Sequence, residues 1–269
     1  PIDPIREGLV MSLQMSLGRK RNVLAEDSHA PHEDGLAQLT LRAPLVNFLE
    51  LEEMASAGLT VRTISTIYKV DDEGGMEGAL NRICAEAVDA VQSGAQLIIL
   101  SDKPESLGPR TPGAAATSDE LFIPPLLATG TVHHHLLGKA LRTRASLVVQ
   151  TAQAWSTHHV ACLIGYGASA VHPYLAYESV INWWHSPKTV QARTSGALRG
   201  AESVEAALDN YRAALEAGLL KILSKIGISL LSSYHGAQIF EAIGVSDEVV
   251  QLALRGTPSR LRGPSLPGI

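Results

Sequence analysis

Asp102, Thr151 and His172 are the residues of this chain best placed to do chemistry, because each comes at the end of a short apolar run that reads as a β-strand. In α/β proteins ligands gather at the C-terminal ends of the strands. Ser232 and Tyr234 follow another such run, and His158 and His159 open a helical pattern just after a strand end. A carboxylate with several histidines is the donor set of a metal-assisted hydrolase, in which the ion activates water. The preferred expectation is plainer: these are polar groups capping strand and helix ends. Histidines without paired ligand spacing are ordinarily satisfied by hydrogen bonds.

The triplet His133-His134-His135 adds little to the metal reading. Consecutive helical residues point about 100° apart, so the three rings cannot converge on one ion. The segment also lacks the H-E-x-x-H spacing that sets two ligands on one helical face.

Phosphate binding and nucleophilic catalysis are poorly served. A phosphate is cradled by glycine-rich backbone at a strand-to-helix turn. The turns here begin Ser101-Asp-Lys-Pro, Gln150-Thr-Ala-Gln-Ala-Trp155 and His172-Pro-Tyr, none with a glycine. Gly74-Gly75 precedes a helix without a G-x-G-x-x-G, so it reads as a turn. There is no G-x-S-x-G elbow. Cys84 and Cys162 sit within apolar helical patterns, away from strand ends and helix N-termini where a thiol would be activated.

The elements that must position these residues alternate between strand and helix patterns. Strands are expected at 59–70, 96–100, 145–149, 168–171 and 228–231. Amphipathic helices are expected at 76–93, after Pro124-Pro125, after Ser156, at 175–186, at 203–226 with a break at Gly218, and at 236–244. Short apolar strands separated by helices imply a parallel sheet covered by helices. About five strands are too few for a closed eight-stranded barrel. The expected fold class is therefore α/β, as a doubly wound sheet or an incomplete TIM-barrel-like domain. Upstream, 1–24 contains a helical piece, with Asp3 as N-cap, Pro4 at its first position and Gly18 closing it. Residues 25–58 read as connecting chain with a short helix near 46–56, wrapping over the rest. The expected organisation is one domain: a helix and wrapping segment at 1–58, and an α/β core at 59–269. The polar stretch 103–120 is expected to be an exposed excursion.

Composition sets outer limits. With 269 residues and 45% hydrophobic content, the chain can bury a sizeable core. A net charge of −5 with dispersed basic residues argues against nucleic acid as a partner. The mild basic cluster at 255–262 reads as a solvated terminal segment. Two cysteines far apart in sequence suit a reducing compartment, and they are too few for a four-cysteine iron–sulfur cluster. The start lacks a signal-peptide pattern, and no run of about eighteen apolar residues suggests a membrane span. A start at Pro1 is expected of a processed product or an excised fragment.

Three stretches carry a resemblance: PIDPIREGLVMSL with LGRKRNVL after it; IPPLLATGTVHHHLLGKALRTRASLVVQTAQAWSTHHVACLIGYGASAVHPYLA; and GLLKILSKIGISLLSSYHGAQIFEAIGVSDEVV. They occur in order over nearly the whole chain, which resembles the central domain of glutamate synthase large subunits. That resemblance implies a rudimentary relative of the FMN-binding barrel. It would link a glutamine amidotransferase domain to an FMN- and iron–sulfur-containing synthase domain and help wall an ammonia tunnel. The parent enzyme would make glutamate from glutamine and 2-oxoglutarate, in the cytoplasm or a plastid stroma. The adjacent domains of the same polypeptide would be its partners. This chain itself is expected to hold no catalytic residue, no cofactor-binding residue and no metal ligand. Gln150-Thr-Ala-Gln-Ala-Trp155 stands where the neighbouring barrel has phosphate-binding glycines, and the chain begins at Pro1 where an amidotransferase needs a catalytic cysteine. The stretch 103–119 is longer than the family pattern and reads as a surface insertion. The alternatives are an autonomous metal-dependent hydrolase using Asp102, His158, His159 and His172, or a module that binds a partner through that insertion.

Overall fold

The computed structural model of the chain describes residues 7–20, 38–104 and 119–268. Helix α1 (Glu7–Val10), β1 (Met15–Leu17), β2 (Leu39–Leu41) and α2 (Phe48–Ser56) precede β3 (Val61–Ser65), β4 (Ile67–Lys69) and α3 (Gly75–Gln92). Then come β5 (Leu97–Ser101), β6 (Glu120–Phe122), α4 (Pro125–Gly138), β7 (Ser146–Gln150), α5 (Thr157–Gly165) and β8 (Ala170–His172). The chain continues through α6 (Tyr174–His185), α7 (Pro187–Thr194), α8 (Val204–Ile226), β9 (Ala242–Ile243), α9 (Asp247–Ala253) and β10 (Ser259–Leu261).

The centre is a four-stranded parallel sheet in the order β3-β5-β7-β8. Strands β5, β7 and β8 are buried on both faces, as a parallel sheet under helical crossovers requires, whereas β3 at the edge buries only Ile64. Ile64, Ile98, Leu100 and Leu147 pack against α3, α4 and α9 on one side. Leu97, Ile99, Val148 and Ala170 pack against α5, α8 and the N-terminal segment on the other. Leu97, Ile98 and Leu147 have no exposed surface, and each such side chain contributes about 1.5–3 kcal/mol. The architecture is thus α/β with covering helices, and the described strands do not close into a barrel.

Several expectations are corrected. Among the described residues the upstream helix covers Glu7–Val10 and ends there, well before Gly18, and Met15–Leu17 is a strand paired antiparallel with β2. The cap at Asp3 and Pro4 lies outside the described residues. The strand expected at 59–70 is two strands. At Thr66 the chain leaves β5, and β4 pairs antiparallel with β6. The β-branched pattern is the same on either side of this switch, because the change of partner is non-local.

The strand expected at 228–231 does not join the sheet. It makes one bridge, from Leu230 to Ser12, and then turns into a 3-10 turn at Leu231–Tyr234. The place beside β8 belongs to the wrapping segment: Val46 N donates to Val171 O, and Val171 N donates to Pro44 O. The helix expected at 236–244 is absent, since Gly236 and Gln238 both have positive φ, which a right-handed helix cannot contain.

Helix α8 runs unbroken through Gly218. A Cβ there would lie 2.4 Å from Thr157 Oγ1, so the glycine serves close approach of α5 and does not interrupt the helix. Arg212 on α8 ties the wrapping segment down. Its Nη1 donates to both Glu50 oxygens at 2.8 and 3.0 Å, and its Nε to Glu216 at 2.9 Å.

The tightest helix contact gives a controlled prediction. A Cβ on Gly130 of α4 would sit 2.0 Å from the Ala253 carbonyl oxygen in α9, whereas one on Gly138 would meet nothing within 4 Å. Alanine favours a helix over glycine by about 1 kcal/mol, but overpacking costs about 1–3 kcal/mol. Gly130→Ala is expected to lower the thermal unfolding midpoint, and Gly138→Ala to leave it equal or higher.

Candidate functional site

The parallel register sets Ser65, Ser101, Gln150 and His172 level across the C-terminal rim of the sheet. Ser101 Oγ donates to Gln150 Oε1 at 2.6 Å. One residue further along, Asp102 turns its carboxylate into the turn after β7. Thr151 Oγ1 donates to Asp102 Oδ2, and Ala152 N donates to Oδ1 at 3.0 Å. Gln153 N in turn donates to Thr151 Oγ1 at 3.1 Å. Burial raises the Asp102 pKa, while hydrogen bonds from Thr151, Ala152 and Tyr174 pull it back. The Tyr174 phenol is pushed up by burial and by this carboxylate.

Lys103 and His172 complete the rim. The Lys103 ammonium lies 5.0 Å from the Phe48 ring centroid and 5.6 Å from that of Tyr174. Burial lowers its pKa, and Glu178 partly restores it. His172 is wholly buried, with the Phe48 ring edge-on at 4.6 Å and Tyr177 at 5.9 Å. Neither of its ring nitrogens has a hydrogen-bond partner among the described residues. Burial first, and then Lys103, push its pKa down to about 3. A neutral imidazole without a proton partner is a poor general acid or base.

The expected site residues therefore divide. Asp102, Thr151 and His172 do share one rim. His158 and His159 start α5 but are turned elsewhere: His158 Nε2 lies 3.5 Å from Cys162 Sγ, and the His159 ring packs edge-on against Trp155 at 4.9 Å. Ser232 is exposed. Tyr234 is buried near Gly165 at the other end of β8, and Gly236 N donates to Gly165 O nearby. Among the described residues, no group of three His, Cys, Asp or Glu side chains could hold a metal ion. The hydrolase ligand set does not assemble, because the α5 histidines face away from the rim.

The histidine triplet also separates. Arg142 Nε donates to His133 Nδ1 at 3.0 Å, and its terminal nitrogens donate to Ala145 O and Gly167 O, both at 2.7 Å. Arginine can only donate here, so His133 is neutral with its proton on Nε2. Burial and the Arg142 charge hold its pKa down near 3. His235, whose Nε2 meets Ala168 O at 2.9 Å, is held near 4 by burial and Arg142. This knot pins the starts of β7 and β8, opposite the Asp102 rim. Gly74, with φ of 79°, is the turn before α3. The 255–262 cluster forms surface ion pairs, Arg260 with Glu241 and Arg262 with Asp247. Most of the 103–119 excursion lies outside the described residues.

Sequence reasoning missed Lys103, Tyr174, Tyr177, Glu178 and Arg142. Lys103 directly follows Asp102. Tyr174, Tyr177 and Glu178 follow His172 at spacings that face one side of a helix. Those four were findable from position. Arg142 shows no signal beyond lying between a helix and a strand.

Comparison with known proteins adds an independent line. A family model described as the glutamate synthase central domain matches residues 1–246. The chain is 51% identical over 263 residues to the ferredoxin-dependent glutamate synthase 2 of Synechocystis sp., and 46% identical over 267 residues to the ferredoxin-dependent glutamate synthase of Pyropia yezoensis. Each alignment covers 98% of this chain, which spans 16% of the length of either relative. Among solved structures, the recombinant flavin-binding domain of baker's yeast flavocytochrome b2 aligns with 79% of this chain and 44% of its own, at 12% identity and a TM-score of 0.41.

The buried histidines set an acid limit on stability. His133, His172 and His235 all have folded pKa values depressed below 6.5. The unfolded chain therefore binds the extra protons. Their contribution is fully present above the unfolded value and is lost as pH falls through the window from 6.5 to about 3. His172 alone accounts for up to about 2 kcal/mol of that loss at pH 5. Protonation of Asp102 acts in the opposite direction, because its folded pKa is raised. Urea midpoints are expected to fall steadily between pH 7 and pH 5, and less steeply in His172→Phe. A pH-independent midpoint over that range would contradict the neutral-histidine assignment.

Proposed function

The chain belongs to the glutamate synthase central domain family, and from that premise we propose that it is the connecting and channelling domain of a ferredoxin-dependent glutamate synthase. In this reading it joins the glutamine amidotransferase domain to the FMN- and iron–sulfur-containing synthase domain and helps wall the ammonia tunnel between them. The parent enzyme takes ammonia from glutamine and, with 2-oxoglutarate and reducing equivalents from ferredoxin, forms glutamate. Those domains are its partners, and the cytoplasm or a plastid stroma is its compartment. The relatives include a cyanobacterial enzyme and a chloroplastic one from rice. Among the described residues no helix is long and apolar enough to cross a membrane. The segment 1–58 and the core 59–269 are taken as one domain, because Met11, Leu17, Leu45 and Met54 share an apolar cluster with the sheet.

The observation that carries the reading is the Asp102 turn. A flavin phosphate would need free backbone N–H groups and a positive field at the strand ends. Here the turn after β7 has already given the Thr151 hydroxyl and the Ala152 N–H to a carboxylate. One N–H of the next helix start is also taken, since His159 N donates to Ser156 Oγ. A phosphate brought to this turn would meet an anion, so these residues do not fit FMN. Nor do the cysteines fit a cluster: burial pushes both thiols up to about 11, which disfavours the thiolate that iron requires. What remains for this chain is geometry. A rigid sheet, with its wrapping segment pinned by Arg212, holds two remote centres in register.

Nitrogen labelling of the full-length enzyme tests this. With amide-labelled glutamine and unlabelled ammonium in solution, wild-type enzyme is expected to form glutamate that keeps the label. Arg212→Ala, which frees the wrapping segment, is expected to let external ammonium dilute the label while FMN content stays unchanged. Dilution already in the wild type, or loss of FMN in the variant, would overturn the reading.

A further inference from the structure

Helix α6 has the sequence YLAYESVINWWH, in which Glu178 is the one carboxylate and is buried. Ala176, Ser179, Val180 and Trp183 recur at the spacing of one helical face. Together with Trp155 and Tyr211 they line an open cleft of about 300 Å³. No lining residue is charged, on a chain carrying 22 basic and 27 acidic residues. Of the three tryptophans, two flank this cleft with 64% (Trp155) and 45% (Trp183) of their surface exposed, and Leu175 beside them is 42% exposed. Interface centres are depleted in charge and enriched in aromatic side chains, with tryptophan foremost among energetic anchors.

The cleft is also held in shape. Tyr211 Oη donates to Trp155 O at 2.9 Å, and the Trp155 ring rests edge-on against His159. On the inner side of α6, Trp184 is buried and the Arg193 guanidinium lies 3.7 Å from its ring centroid. A preformed apolar cleft loses little entropy on filling. The chain spans only 16% of the length of its relatives, which places most of the parent polypeptide outside it.

We propose that the Trp155–Trp183 cleft is the seat of an uncharged apolar segment from another domain of the same polypeptide. The proposal rests on the connecting-domain reading and names the surface through which the connection is made rigid. Trp155 follows the end of β7 by five residues (Gln150 to Trp155), so a segment seated here packs beside the turn that carries the rim.

Hydroxyl-radical footprinting of the full-length enzyme tests it, with buried Trp184 as internal standard. Seated, Trp155 and Trp183 are expected to oxidise at nearly the Trp184 rate, and this should not change on dilution. Trp183→Glu is expected to expose Trp155, and Trp183→Phe to keep it protected. Oxidation of Trp155 about tenfold faster than Trp184, as exposures of 64% and 5% require, would overturn the proposal. Protection that disappears on dilution would assign the cleft to a second copy and overturn it too. Glutamate formation by the same preparation separates the two readings. An active enzyme with fast-oxidising tryptophans sinks the docking surface alone, whereas a preparation forming no glutamate from glutamine and 2-oxoglutarate sinks the connecting-domain reading.

Discussion

The edge of a parallel sheet carries backbone groups that must find partners, and in this chain the edge of β8 finds them far upstream. Val46 donates to Val171 O, and Pro44 O accepts from Val171 N. Much of the molecule follows from this pairing. It brings Leu45 and Val46 into the apolar layer under α5 and α8. Two residues later, Phe48 stands with its ring against His172 and beneath the Lys103 ammonium. Asn47 and Glu50 close a reciprocal cap at the start of α2, and Glu50 also receives Arg212. An unpaired β8 edge would leave buried amides unsatisfied and would remove the wall that makes His172 neutral.

The rim so enclosed is polar and buried. Its carboxylate accepts from the turn after β7, its imidazole is held uncharged, and its ammonium rests on two aromatic rings. Each is an outcome of burial: a charge removed from water must be paired or neutralised. The opposite end of the sheet obeys the same rule with other groups. Arg142 is satisfied by two carbonyls and a neutral histidine, and burial lowers its pKa to about 10. Rigidity at both ends suits the connecting role proposed for this domain.

The parallel core was legible because its strands are short, apolar and separated by helices of ordinary length. The runs at 96–100 and 145–149, and the helices after Ser156 and Pro124, stand within a residue or two of where the patterns put them. What escaped was set by non-local partners. Thr66 divides one β-branched run because the second half pairs with β6, and the sequence contains no mark of that. Ile228 to Leu231 has strand composition, yet a single bridge to Ser12 is all it finds. Gly218 looked like a break because glycine is a poor helix former, but the close approach of Thr157 is what requires it. The rim residues Asp102, Thr151 and His172 were named from strand ends alone. That His158 and His159 turn away depended on side-chain direction, which spacing cannot supply.

We propose that the turn after β7, whose Thr151 hydroxyl and Ala152 N–H already serve the Asp102 carboxylate, has no place for a flavin phosphate. Fluorescence titration of FMN with the 269-residue chain tests it most directly. No saturable quenching of flavin emission is expected as chain is added. Stoichiometric one-to-one quenching, weakened by raising inorganic phosphate, would contradict it.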